Sequence, residues 1–301
     1  MNLFISSPLH VHAQPRGFSL FIVVILVLMA FLHFRGWLFL RRSSPSHSSV
    51  WRLVAFLSGL LAIGVAVASP LGLLDHQLLT AHMVKHLLLM VVAAPLTLFG
   101  AAGQPLLSVL PNWFARGSSL FTTKPRSLPG GLFRNYIFCW LAGTTTVVVW
   151  HIPIFFQLGL SSHAWHTIEA VSFMCAGLLF WKPIITPPPN EAKTPQWSLV
   201  LYLFLATVPC DILSAFLVFC DRVVYPYYSS TNQTFSLSAL QDQEWAGALM
   251  WVTITFAYVI PAVVITTDIL SSHGVQFDNV APSVARRTVA AELRGSEMEV
   301  T

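Results

Sequence analysis

Apolar residues run along this chain in long unbroken blocks, without strict two-residue alternation and without a polar face recurring every turn. No Asp, Glu, Lys or Arg interrupts Leu53 to Leu74, His86 to Ala115, Asn135 to Ile168 or Trp245 to Thr267. A helix needs about 20 apolar residues to cross the hydrocarbon layer of a bilayer, and these blocks supply them. Backbone groups in lipid must be satisfied internally, so only helices or closed barrels cross. Continuous apolar runs select helices. Flanking charges and turn residues then mark seven predicted spans, at 18–40, 51–73, 81–102, 133–152, 164–185, 197–219 and 243–268. The predicted fold is all-α, seven transmembrane helices in one bundle. A tail at 1–17 precedes the membrane domain at 18–270, and a polar tail follows at 271–301. The longer connections, around Ser43, from Gly117 and from Thr186, are rich in Pro, Gly, Ser and Thr and read as linkers. No loop is long enough to bury a separate core.

The few charges orient this bundle. One set of connections and the C-terminal tail carry twelve Lys and Arg: Arg41, Arg42, Arg52, Arg116, Lys124, Arg126, Arg134, Lys182, Lys193, Arg286, Arg287 and Arg294. The opposite set carries two, Arg16 and Arg222. The positive-inside rule therefore predicts an extracytoplasmic N-terminus and a cytoplasmic C-terminus. Composition agrees with the pattern: 55% of the 301 residues are hydrophobic, only 9% are charged, and mean hydropathy is +0.69. Soluble domains carry roughly 25% charged residues. An ordinary soluble enzyme, a disordered tail protein and a nucleic-acid binder working through a basic face are excluded. The four cysteines show no paired spacing and read as small apolar residues.

Orientation turns the eleven histidines into a pattern. His76, His82, His86, His151, His163 and His166 fall at the predicted outer ends of spans 3 to 5 or in their connections, and His10 and His12 in the outer tail. His82, His86 and Met90 are spaced i, i+4, i+8, along one helix face. His163, His166 and Glu169 follow at steps of three. Imidazoles with a nearby thioether suit copper, since nitrogen accepts either oxidation state and soft sulfur favours Cu(I); zinc is the nearest competitor. The plainer reading is that helix-end imidazoles hydrogen-bond in the interfacial layer and that Met90 packs. Lys85, Glu169 and Asp211 are ionisable groups inside predicted spans, where charge is costly and normally paired or functional. Asp211 reads as a partner orienting a ligand histidine or as a proton site, or else as the counter-ion of Lys85. Asp221, Asp242 and Glu244 read as a solvated outer rim.

Several ordered motifs resemble the polytopic membrane type of the CtaG family of cytochrome c oxidase assembly factors. They are HMVKHLLLMVVAAPLTLFGA at 82–101, WHIPIFF at 150–156, GLLFWKPI at 177–184, LYLFLATVPCDILSAFLVFCDRVVYPYY at 201–228 and LSALQDQEWAGALMW at 237–251, within a similar core at about 80–265. The resemblance implies an assembly role in which copper is supplied to, or inserted at, the copper B centre of the oxidase catalytic subunit. His82, His86, His151, His166, Asp211, Asp221, Asp242 and Met250 fall in the matching motifs. Two positions depart from the family pattern: Ala170 stands where another histidine is frequent, and Lys85 where a neutral amide is common. The expectation is a non-enzymatic assembly factor in the plasma membrane, with copper on imidazoles facing the extracytoplasmic side and Met90 or Met250 as a soft ligand. Two rivals stand beside it. One is a haem-binding electron carrier with axial histidines from two helices. The other is an ion or copper transporter using Lys85, Glu169 and Asp211.

Overall fold

The computed structural model describes residues 16–43, 49–69, 71–101, 135–186, 196–231 and 237–298. Among these, regular structure is helical throughout: α1 (Arg16–Ser43), α2 (Val50–Ala68), α3 (Leu71–Leu74), α4 (Leu79–Leu87), a π-helical segment (Leu88–Ala93), α5 (Ala94–Ala101), α6 (Tyr136–His151), α7 (Pro153–Ser161), α8 (His163–Ile185), α9 (Trp197–Phe219), α10 (Tyr227–Thr231) and α11 (Ala239–Met298). Among the described residues, six stretches are long and apolar enough to cross a membrane, and α6 with α7 makes a seventh if that pair, bent by 80°, counts as one span. The bend follows from sequence. Pro153 lacks the N–H that would continue α6, so Ile152 closes one helix and Pro153 opens the next.

The last and third spans depart from those read in the sequence. The last helix runs on to Met298, past the predicted end at 268, with Pro261 and Pro282 inside it. The third span is interrupted by the π segment, whose cause is Pro95. Ala94 N–H reaches back five residues to Leu89 O, and the proline has no N–H to offer Met90 O. That carbonyl instead accepts the Trp181 indole N–H at 3.0 Å.

Polarity is arranged inside out. Phe219 is 75% exposed and Ile154 71%, whereas His82, Lys85, His86 and Glu169 are buried. Apolar burial does not drive association in lipid, so close packing at small residues does. Ala93, Ala94, Ala206 and Ala246 are fully buried at such contacts. A Cβ on Gly177 of α8 would lie 2.9 Å from Ala94 Cβ and 3.0 Å from Met90 O, so only glycine lets α8 approach the π segment this closely. Packing pairs α1 with α2, α2 with α5 and the π segment, α8 with α6 and α5, and α11 with both α4 and α9.

Candidate metal centre

The starts of α4 and α8, the end of α6 and the turn after α3 lie at one end of the bundle, and their polar side chains converge there. Each helix is fixed by its own terminus. Ser162 caps α8 by accepting Trp165 N–H at 3.3 Å. Leu78, at the cap of α4, cannot do this, and a distant side chain replaces it. Asp242 of α11 accepts Leu79 N–H at 2.6 Å, Thr80 N–H at 3.1 Å and the Thr80 hydroxyl at 2.7 Å. Asp242 is therefore no part of a solvated rim. It is fully buried, because those orphan donors need an acceptor. Asp221 is exposed.

The i, i+4 spacing brings His82 and His86 Nε2 to 2.8 Å of each other. Glu169 Oε1 reaches the first at 3.3 Å and the second at 3.2 Å. All three side chains are 5% exposed or less. His82 Nδ1, His86 Nδ1 and Glu169 Oε2 have no hydrogen-bond partner. Gly159 of α7 makes room for the carboxylate, since a Cβ there would fall 2.8 Å from Glu169 Oε2. Imidazole binds a metal at roughly 2.0–2.1 Å, which puts donor atoms about 3 Å apart. The three donor atoms lie at about that spacing from one another.

Nearer the surface, Lys85 Nζ contacts Asp75 Oδ2 at 2.9 Å and His166 Nε2 at 2.8 Å, while His166 Nε2 lies 3.2 Å from the same Asp75 oxygen. The tautomer sets the roles: a protonated Nε2 donates to Asp75, and a bare one accepts from Lys85. His76 Nε2 is 3.8 Å from Asp75 Oδ1. Burial pushes the Asp75 carboxyl up, but the His166 hydrogen bond and the Lys85 ammonium outweigh it and hold it well below the usual range. Burial lowers the His76 imidazole to about 4 against the opposing pull of Asp75. Tyr228 donates its hydroxyl to Asp75 O at 2.8 Å, tying this turn to α10.

His151 ends α6 with Nδ1 2.7 Å from Val147 O, and its buried Nε2 has no hydrogen-bond partner. His86, Met90, His151 and Met250 line one small void of about 20 Å³. His163 begins α8 and lines a larger cavity of about 310 Å³ beside Lys85 and His166. Asp211 stays apart. Lys85 pairs with Asp75, so the Lys85–Asp211 ion pair is not formed, and Asp211 sits half-buried on α9 with Oδ1 unbonded. Asp75 is the participant that motif reading passed over. A signal existed: it is the chain's only acidic residue before Glu169. His10 and His12 lie outside the described residues.

Three relatives resemble most of the chain at low identity. An uncharacterized protein of Mycobacterium leprae is 25% identical over 249 residues, covering 77% of this chain and 35% of that protein. Uncharacterized proteins of Mycobacterium bovis and Mycobacterium tuberculosis are each 24% identical over 255 residues, covering 80% of this chain and 37% of theirs. The chain thus spans little more than a third of the length of these relatives. No solved structure matches it. Residues 31–272, which include every member of the buried cluster, match the family described as cytochrome c oxidase caa3 assembly factor, and the chain belongs to that family.

Proposed function

We propose that the chain serves oxidase assembly by holding a copper ion as cargo at His82, His86 and Glu169 and presenting it to the catalytic subunit, where the copper B centre forms. The observation that carries this reading is the convergence of two imidazole nitrogens and a carboxylate oxygen within 3.3 Å in a buried site. Without a cation, protons must lie between these acceptors; a metal ion replaces them and satisfies all three. His86 also faces the void shared with His151, Met90 and Met250, a softer donor set suited to Cu(I). An ion moving between the two sets through His86 never needs to be bare. That is what a cargo site requires, and the role calls for binding and release without turnover.

Two further observations support details of the reading. Arg41, Arg42, Arg52 and Lys182 lie at the helix ends remote from the histidines, which by the positive-inside rule turns the cluster to the extracytoplasmic side of the plasma membrane. A haem carrier is disfavoured: the His82 and His86 nitrogens face each other across 2.8 Å, and the void between His86 and His151 is of about 20 Å³. The test is titration of detergent-purified protein with Cu(I) against a competing chelator. His82→Ala/His86→Ala should weaken binding at least about a hundredfold, since loss of mere supporting groups costs up to that. In cells, the same variant should yield oxidase deficient in copper but not in haem. Unchanged affinity in the double variant removes the site.

A further inference from the structure

The Asp75 group adjoins the buried cluster through His166. One donor atom each from Asp75, His76 and His166 lie within 4.8 Å of one another, close enough to hold one ion. His166 belongs equally to a second such group, with His82 and Glu169. Lys85 Nζ bridges two members of the first group, 2.9 Å from Asp75 and 2.8 Å from His166. An ammonium at those distances is a cation on a tether, filling the place a metal would take. Asp75 Oδ1 meanwhile has no hydrogen-bond partner, and the His76 ring lies 4.9 Å from that of His166. Access is graded in the same order. His76 is 29% exposed, and His76, Lys85 and His166 line the cavity of about 310 Å³ between α1, α2 and α8. His82, His86 and Glu169 do not line it.

We infer that Asp75, His76 and His166 form a second cation site, a vestibule through which a metal ion reaches the buried histidines, with the Lys85 ammonium as its built-in competitor. Two imidazoles and a carboxylate, with no sulfur, suit a borderline divalent ion such as Cu(II) or Zn(II), and because imidazole nitrogen accepts copper in either oxidation state the ion passes inward with no redox step. An arriving ion takes the Asp75 and His166 contacts from Lys85, and His166, shared between the groups, passes it inward. The direction of travel rests on the cargo reading above. The vestibule itself does not: it binds an ion whether or not the inner pair is present.

The test therefore uses His82→Ala/His86→Ala protein, which lacks the inner pair, with Cu(II) as probe. Affinity is read by chelator competition and ligation by electron paramagnetic resonance. Adding Lys85→Met, which removes the competing charge at similar volume, should raise Cu(II) affinity at least tenfold and show nitrogen coupling. Adding Lys85→Arg, which keeps a cation, should give no gain. A Lys85→Met gain that persists after His76→Ala/His166→Ala, or no gain over Lys85→Arg, overturns the vestibule. A readout on the wild-type protein covers the case in which Lys85→Met does not fold. Saturating Cu(II) should slow diethyl pyrocarbonate modification of His76, located by mass spectrometry, and an unchanged rate equally overturns the site. Failure of the cargo reading would appear instead as unaltered Cu(I) affinity on removing His82 and His86.

Discussion

Gln243 on α11 and Glu169 on α8 are each 1% exposed, similar in size, and near the same end of the bundle, yet they are buried in opposite ways. Every polar atom of the Gln243 side chain is used. Its Oε1 accepts Val224 N–H at 2.7 Å, and its Nε2 donates to Leu217 O and Arg222 O, both at 3.2 Å. Glu169 shares one oxygen between two imidazoles and leaves the other unbonded. A buried amide that closes a loop is a structural element, and full pairing is what such elements show. A buried carboxylate with an unbonded oxygen, facing imidazoles whose Nδ1 atoms are also unbonded, lacks the full pairing of a structural element. Orphaned atoms also occur at Asp211 and Ser214 on α9. Around Glu169, however, they belong to side chains whose other nitrogens and oxygen already converge within 3.3 Å.

The largest expected effect is on the charge pair beside Glu169. Asp75 is fully buried and Lys85 nearly so, with 2.9 Å between them. Asp75→Leu strands the ammonium, and breaking a buried pair in this way costs about 3–5 kcal/mol. Thermal unfolding in detergent should show that loss, with most of it recovered in Asp75→Leu/Lys85→Met, where no charge is left unpaired. A single variant that melts with the wild type would mean that the pair is not held dry, and the contrast with Gln243 would lose its sharper half.

The next test sets the two side chains against each other directly. Gln243→Leu leaves one N–H and two carbonyls without partners and should cost about 1–3 kcal/mol, with Cu(I) affinity unchanged. His86→Phe replaces a ring stacked 4.0 Å from Phe173 by another aromatic ring and removes a nitrogen from the orphaned set. It should hold or raise the melting temperature while weakening Cu(I) binding, the pattern expected where function is kept at a cost in stability. If both variants lose stability and neither loses copper, Glu169 and Gln243 are alike, and the orphaned atoms carry no functional meaning.

Much of this was legible in the sequence, and the parts that were not share a cause. Apolar runs locate the spans because lipid demands them, and i, i+4 spacing places His82 beside His86 because helix geometry leaves no alternative. Pro153 announces the break after His151. Contacts between distant segments leave no periodic trace. Asp242 looks like a rim residue until α4 is seen to lack its own cap, and Lys85 has two carboxylates to choose from, Asp75 and Asp211, until the turn after α3 is placed. The π segment was likewise hidden. Pro95 shows that an N–H is missing, but not that the helix answers with a wider turn.

The smallest expected effect isolates that turn. Met90 O, whose donor in the wider turn would be the missing N–H of Pro95, takes the Trp181 indole N–H at 3.0 Å, and the rings of Phe180 and Tyr258 pack against Trp181. Trp181→Phe removes the donor together with part of the ring, so its raw effect mixes hydrogen bonding with packing. Trp140 supplies the control, since its indole nitrogen is buried and has no hydrogen-bond partner. Trp140→Phe loses ring volume and relieves an unpaired donor, whereas Trp181→Phe loses ring volume and strands a carbonyl. The difference between the two melting curves should be about 1 kcal/mol, the worth of one hydrogen bond in such surroundings. Equal shifts would mean that the Met90 carbonyl finds another donor, and that the π turn is held by the packing of Gly177 against it and not by the indole.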